Sequence, residues 1–356
     1  MKTKSFTVLV KLALLLCLLL PGTAGANNIV TSPDEASLRA AIALGGWIGL
    51  GFNGTITIGN TIAISKNVIL DGSGVAATIS GGNAVRLFYV APGVTFSATN
   101  LTLANGSCLV TDGTADAGAI YNNGGTVMLT ACTLTNNCAQ SVITGYQWTG
   151  LARGGAIFNN GGGVLLNQSG ISNNSAIGGG IGTGLGGALY NTNGTMTITG
   201  CNVSSNLCEG LCVSSAFSES GLSMGGAVYQ ASGSLTITNS SFAFNQALGG
   251  ISYEIGTSPS SPAYGGATAI TGGGVTIDHS QFCANIARGG DASRSGNAGP
   301  AAGGAVYSAS VLTVRDSSFF GNQSVAGNSP FSTYTVAGIK ATDGFGGAIY
   351  NSGTVV

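Results

Sequence analysis

Short runs in which apolar and hydroxylated residues alternate recur along the chain. Thr195-Met-Thr-Ile-Thr199, Ser234-Leu-Thr-Ile-Thr238 and Val311-Leu-Thr-Val-Arg315 are three of them. A period of two sends Leu235 and Ile237 to one side and Thr236 and Thr238 to the other, which predicts strands and not helices. Each run is too short to form a sheet by itself, so it buries its apolar side only against a neighbouring copy.

The copies are marked by a second signal. A Gly-Ala pair followed by an apolar and usually an aromatic residue occurs at Gly118-Ala119-Ile120-Tyr121, Gly154-Gly155-Ala156-Ile157-Phe158, Gly186-Gly187-Ala188-Leu189-Tyr190, Gly225-Gly226-Ala227-Val228-Tyr229, Gly265-Gly266-Ala267, Gly303-Gly304-Ala305-Val306-Tyr307 and Gly346-Gly347-Ala348-Ile349-Tyr350. An apolar residue, two variable residues and an Asn follow the first six, ending at Asn137, Asn174, Asn206, Asn245, Asn285 and Asn322. From the second Gly to the Asn the spacing is 19 residues five times and 18 once, whereas from the Asn to the next Gly it runs from 13 to 25. Insertions confined to one side of a constant unit are those of a stacked solenoid. The expected fold is all-β, a right-handed single-stranded parallel β-helix with about three strands per unit and ~4.8 Å between coils.

Residues 51 to 110 carry earlier, less regular coils, among them Thr55-Ile-Thr-Ile58, Thr61-Ile-Ala-Ile64 and Val68-Ile-Leu70. About ten coils in all predict a rod on the order of 50 Å. Residues 27–50 read as an N-terminal cap with an amphipathic helix over about 33–44. Ser32 is the expected N-cap of a capping box closed by Glu35, Pro33 takes the first helical position, and Gly45-Gly46 stops the helix. Leu38, Ala41 and Ile42 share one face, and a helix placed there covers the open strand edges of the first coil.

Composition narrows the function classes. Of 356 residues 61 are Gly, and only 6% are charged against 44% hydrophobic. That balance favours folding over disorder, and a net charge of −1 without a basic block speaks against nucleic acid as a partner. Lys2, Lys4 and Lys11 ahead of the apolar run Leu12 to Leu20, with Ala24-Gly25-Ala26 behind it, read as a signal peptide over residues 1–26. No membrane span is expected after it. Seven cysteines follow the leader, and Cys208 and Cys212 are close enough in sequence for a small-loop disulfide. No metal or other cofactor is implied.

The Gly-Gly-Ala-Ile and Phe-x-x-Asn pairing resembles the repeats of the polymorphic outer-membrane protein family, whose passengers are right-handed parallel β-helices displayed as autotransporter adhesins. Ser37-Leu38-Arg39-Ala40-Ala41-Ile42 likewise resembles the N-terminal cap of exported bacterial β-helix proteins. The resemblance implies an exported, adhesin-like protein at the outer-membrane or extracellular surface. It departs from the family in showing no run of membrane-barrel strands. The chain also stops at Val356 a few residues into a new coil, which predicts a β-helix over residues 51–356 truncated at its C-terminal end.

The repeat residues Gly118, Gly155, Gly187, Gly226, Gly266, Gly304 and Gly347 are expected to serve close approach or positive φ, and the six Asn residues to form a hydrogen-bonded ladder. Aligning Phe282 with Phe319 stacks Asp278 beside Arg315 and His279 beside Asp316. His279 and Asp316 are therefore the candidates for acid-base chemistry, set against an ordinary surface charge pair. Insertions over 138–153, 207–224, 246–264, 286–302 and 323–345 carry Tyr146, Trp148, Phe217, Tyr253, Tyr264, Phe331 and Tyr334, a composition suited to binding surface glycans or proteins. The expected function is that of a non-catalytic binding rod. The alternative is a polysaccharide-active β-helix lyase or glycoside hydrolase, for which a calcium-binding carboxylate cluster or a spaced pair of carboxylates is required.

Overall fold

The computed structural model describes residues 28–144, 149–211, 221–251, 260–292, 298–328 and 343–354. The expected leader, residues 1–26, and Cys212 lie outside them. Within them the chain winds as a parallel β-helix whose strands stack into five faces. Face 1 has ten strands, from Asn28–Val30 to Val311–Arg315, and face 2 has nine, from Gly54–Thr57 to Ser318–Phe320. Face 3 runs from Ser107–Thr111 to Gln323–Val325, and face 4 from Thr114–Asp116 to Gly344–Phe345. Face 5 returns each coil to face 1 and runs from Ile62–Ile64 to Ile349–Asn351. Among the described residues, one pairing is antiparallel, Gly179–Gly180 against Thr149–Arg153.

Register is strict, so equivalent repeat positions are vertical neighbours. Met196 pairs with Leu235 and Ile198 with Ile237, while Leu235 pairs with Val275 and Ile237 with Ile277. These inward residues are all 0–2% exposed. Phe242, Phe282 and Phe319 stack at 4.8 and 5.0 Å between ring centres, so one coil's aromatic fills the space above the next.

The expectation of three strands per unit holds only for the first coils. From Ser107 onward faces 3 and 4 are added, and together they form a thin fin beside the three-sided body. The inward positions of face 3 include Ala139, Ala176, Cys208, Ala247 and Ala287, and those of face 4 include Ala115, Ala152, Ala263 and Ala301, all 0% exposed. Side chains this small give two- to five-residue strands no conspicuous hydrophobic alternation, which is why the fin is hard to see in the sequence. The five variable insertions are correspondingly shorter than their expected limits. Residues 138–142 and 149–153, for instance, are strands, as are 207–209 and 223–224.

The cap helix, α1, spans Glu35–Leu44, and its N-cap is Asp34 rather than Ser32. The Asp34 carboxylate accepts the Ser37 N–H at 2.8 Å. Glu35 does not close a capping box, because it is taken up by the first coil: Oε2 accepts the Gly59 N–H at 3.0 Å and Oε1 pairs with Arg39 at 2.7 Å. Arg39 also donates to the Asn60 carbonyl, and Lys66 donates to the Ala43 carbonyl at 2.9 Å. Gly45 ends the helix in the left-handed region, at φ 78°. Leu38, Ala41 and Ile42 are buried on the coil end, and the strand Asn28–Val30 pairs with the face 1 edge of Gly46–Leu50.

The first fin strands have no earlier fin strand to stack on, and Arg86 closes that start. Its guanidinium donates to the carbonyls of Asp116 at 2.6 Å and Ala117 at 3.0 Å, which have no earlier fin strand to pair with.

Candidate functional site

Each repeat residue has a place in the corner chemistry. Leading glycines such as Gly186, at φ 66°, turn face 4 into face 5. In the first copy Ala117 adopts the same conformation, at φ 53°. The second glycine serves close approach, since a Cβ on Gly187 would lie 2.1 Å from the Gly226 carbonyl oxygen of the next coil. The six Asn residues stack between faces 2 and 3. Asn137 donates through Nδ2 to Asn174 Oδ1 at 2.9 Å, and the series continues through Asn206, Asn245 and Asn285 to Asn322 at 2.9–3.0 Å. The same Oδ1 atoms accept the backbone N–H of the preceding Asn, so these amides are consumed by the fold.

A second amide column, outside the repeat signature, runs parallel to the first. Asn122, Asn159, Asn191 and Gln230 are all 0% exposed and bond in series at 2.6–2.8 Å. The signal for it is present, because each follows directly on the aromatic residue of its repeat copy. Those aromatics form their own column: Tyr89, Tyr121, Phe158, Tyr190 and Tyr229 stack at 4.9–5.6 Å. The Gly265 copy has Ala269 in this register, and Tyr264 from face 4 stacks on Tyr307 at 4.7 Å. Tyr264 is thus a half-buried strand residue and not the loop aromatic expected. Arg153 lies over the Phe158 ring at 4.6 Å and is held there by Asp116 at 2.6 and 2.9 Å.

His279 and Asp316 come together, but as corner residues. Both occupy the left-handed turn between faces 1 and 2, at φ 46° and 44°, where Asn239, Gln168 and Asn100 stand in other coils. Asp278 Oδ1 sits 2.8 Å from His279 Nδ1, while Asp316 Oδ2 sits 3.8 Å from Nε2. The carboxylates therefore bracket opposite ring nitrogens, and the His279 and Asp316 side chains are 58% and 74% exposed. One ligand atom from each of Asp278, His279 and Asp316 lies within 4.8 Å of the others, but the cluster is largely open to solvent, where contacts of this kind are of modest strength. Asp278 also pairs in register with Arg315. Glu209 ends a face 3 strand, with its pKa raised by burial.

The strongest candidate site is the free edge of the fin. Every coil from Cys138 onward has six or more residues between its face 3 and face 4 strands, after a two-residue turn at 112–113 in the first fin coil. The roots of these loops are tied together. Asp291 accepts both bonds from Arg288 at 2.7 Å and the Asn328 N–H at 2.7 Å, and its carbonyl accepts from Ser260 at 3.1 Å, so one residue joins three successive loops. Burial acts to raise the Asp291 pKa, but the Asn328 N–H and the Arg288 charge hold it below the ordinary value. Tyr146, Trp148, Phe217, Tyr253, Phe331 and Tyr334 all belong to stretches outside the described residues. Cys208 faces the fin interior, where it replaces an alanine of the column; Cys212, its expected small-loop partner, lies outside the described residues. Among the described residues no helix is long and apolar enough to cross a membrane.

No protein-family model and no curated protein matches the chain. Among solved structures, a crystal structure of PfbA, a surface adhesin of Streptococcus pneumoniae, aligns with 85% of this chain and 92% of its own, at 10% identity and a TM-score of 0.29. Likeness at that level carries no functional weight, and the fold assignment rests on the strand register itself.

Proposed function

We propose that the protein is an exported, non-catalytic β-helix rod of the polymorphic outer-membrane protein repeat type, acting at the cell surface or in the medium as an adhesin. Its ligands are surface glycans or proteins, engaged through the loops at the fin edge. One observation carries this reading: strands and corners repeat in fixed register, while the length variation is delivered to a single edge with interlinked roots. A rigid scaffold that varies only along one edge is how recognition loops are presented.

The test replaces residues 145–148, 212–220, 252–259, 293–297 and 329–342 each by Asn-Gly, singly and together, and measures adhesion of the displayed rod to cells and to glycan and protein arrays. The expected outcome is a folded rod that loses adhesion stepwise. Adhesion unchanged with all five replaced removes the reading, as does robust release of reducing ends or unsaturated products from a polysaccharide by the intact protein.

A further inference from the structure

The corner where face 5 turns into face 1 is a different place on the coil from the fin edge, and it forms a shallow groove of about 500 Å³. The lining comes from equivalent positions of four successive coils, so the groove runs along the rod. Its floor is fixed from beneath by the second amide column. Asn122, Asn159 and Asn191 donate through Nδ2 to the carbonyls of Gly125, Gly162 and Gly194 at 2.9, 3.0 and 3.2 Å. A Cβ at any of those glycines would meet backbone oxygen of the adjacent coil at 2.7 Å or less, so the fold itself requires them.

Gly163 is different. It shows no left-handed φ, and a Cβ there would lie in ordinary contact, 3.6 Å from Thr195 Oγ1 and 3.9 Å from Thr126 Oγ1. Nothing in the packing asks for glycine, and the missing side chain leaves a notch between two hydroxyls. Thr126, Thr195 and Ser234 stand along the lip, exposed, with no side-chain hydrogen bond to the described residues. The groove is lined throughout by Gly, Thr, Ser and Asn, with no ionisable and no aromatic group.

We infer that this groove binds an extended, uncharged polysaccharide, its hydroxyls meeting the lip hydroxyls coil after coil. The neutral lining provides no counter-charge for an anionic polymer. It also lacks the free strand edge or apolar pockets through which a peptide is recognised. A floor held by buried amides is already ordered, so little conformational freedom is lost on binding. The inference rests on the binding-rod reading but uses none of the fin loops.

The test is affinity electrophoresis of the full chain through gels containing dextran, glucomannan or mixed-linkage β-glucan, with polygalacturonate as the charged comparison. At least one neutral polymer should retard the protein, with little dependence on salt. Gly163→Thr, which refills the notch, and the triple variant Thr126→Val, Thr195→Val, Ser234→Ala should each weaken retardation roughly tenfold at unchanged melting temperature. Gly163→Ala serves as the milder variant should the threonine disturb the fold. The rod with all five loops replaced should still be retarded. The inference is overturned if no neutral polymer retards the protein, if polygalacturonate alone does, or if the groove variants behave as wild type. Retardation lost with the loops but kept in the groove variants would overturn the groove and leave the loop reading standing.

Discussion

The coils up to residue 104 and the coils after it share faces 1, 2 and 5, but the second group adds a fin packed on a different principle. In the first group Ile48, Ile56, Ile64, Leu70, Ile79, Phe88 and Phe96 fill a three-sided interior, each 0% exposed. Phe88 and Phe96 meet across it at 4.8 Å. In the fin, alanine faces alanine and the backbones themselves come together, as the 2.6 Å and 2.8 Å from a Cβ on Gly184 to the Glu209 and Ala176 carbonyl oxygens show. A core of large side chains derives its stability from apolar area removed from water. The fin buries little area per residue and depends on hydrogen-bonded register and on the absence of side chains where coils touch. Variation in chain length is tolerated at the edge of the second kind of packing, where it does not disturb the first.

Two substitutions of opposite kind separate these principles most sharply. Gly187→Ala adds a single carbon to the fin junction, but that carbon would meet the Gly226 carbonyl oxygen at 2.1 Å and the Leu207 carbonyl carbon at 2.5 Å, both backbone atoms. The expected cost exceeds about 4 kcal/mol, read as loss of the cooperative urea transition. Phe96→Ala in the first coils removes a large buried ring and is expected to cost about 3–5 kcal/mol. Since Phe96 sits on face 1 in the three-sided body and not in the fin, adhesion of the folded fraction should be retained. If the glycine variant melts like wild type, the close approach of the coils is wrong.

Asn206→Ala tests the ladder that both faces 2 and 3 lean on. Its Oδ1 accepts from Asn174 N and Nδ2, each at 3.0 Å, and its own amide donates to Ile171 O and Asn245 Oδ1. Each buried group left unpaired costs about 1–3 kcal/mol. Hydrogen exchange should quicken at Asn174 and in the coils on either side before the cap exchanges. A neutral result would mean that water or rearrangement replaces the amide.

Much of this register is legible in the residues, and the exceptions share a cause. Leu235 and Ile237 announce their face through period two, and the 19-residue spacing from Gly187 to Asn206 marks constant corners. The fin strands Gly184–Leu185 and Ser223–Met224 are two residues long, so no periodicity can register them. Pattern alone also does not separate Ser32 from Asp34 as the cap, because both precede the same apolar face and the choice depends on Glu35 reaching Gly59 in the first coil. Aligning Phe282 with Phe319 is enough to place His279 beside Asp316, but only the backbone shows that they hold a left-handed corner. Where repeat copies degenerate, the compensation is tertiary: Ala269 is answered by Tyr264 from another face.

The same degenerate copy offers a gain in stability. Thr268 occupies the inward position held by Val228 and Val306 in the adjoining coils, and its buried hydroxyl has no hydrogen-bond partner among the described residues. Thr268→Val keeps the shape and removes the orphaned group, so stability should rise by about 1 kcal/mol. A loss in melting temperature would show that the hydroxyl is satisfied after all.

The smallest effect at neutral pH, and a selective one at high pH, belongs to Cys208. Burial pushes its thiol from the ordinary 9.0 up to about 12. The folded state therefore keeps a proton that the unfolded chain releases above about pH 9. The stability tied to this thiol is complete below pH 9 and is lost as pH rises from there toward 12. Tyr190, Tyr229 and Tyr264 are also raised above 10.0, chiefly by burial, and add to the alkaline loss. Cys208→Ala substitutes the residue already present at Ala176 and Ala247 in the same column, so at pH 7 its melting temperature should shift little. Between pH 9 and 10, before the tyrosines contribute, its melting temperature should fall less steeply than that of the wild type. Parallel curves over that range would place the thiol in water instead of between alanines, and the fin would then not be the closed, small-residue packing that distinguishes it from the first coils.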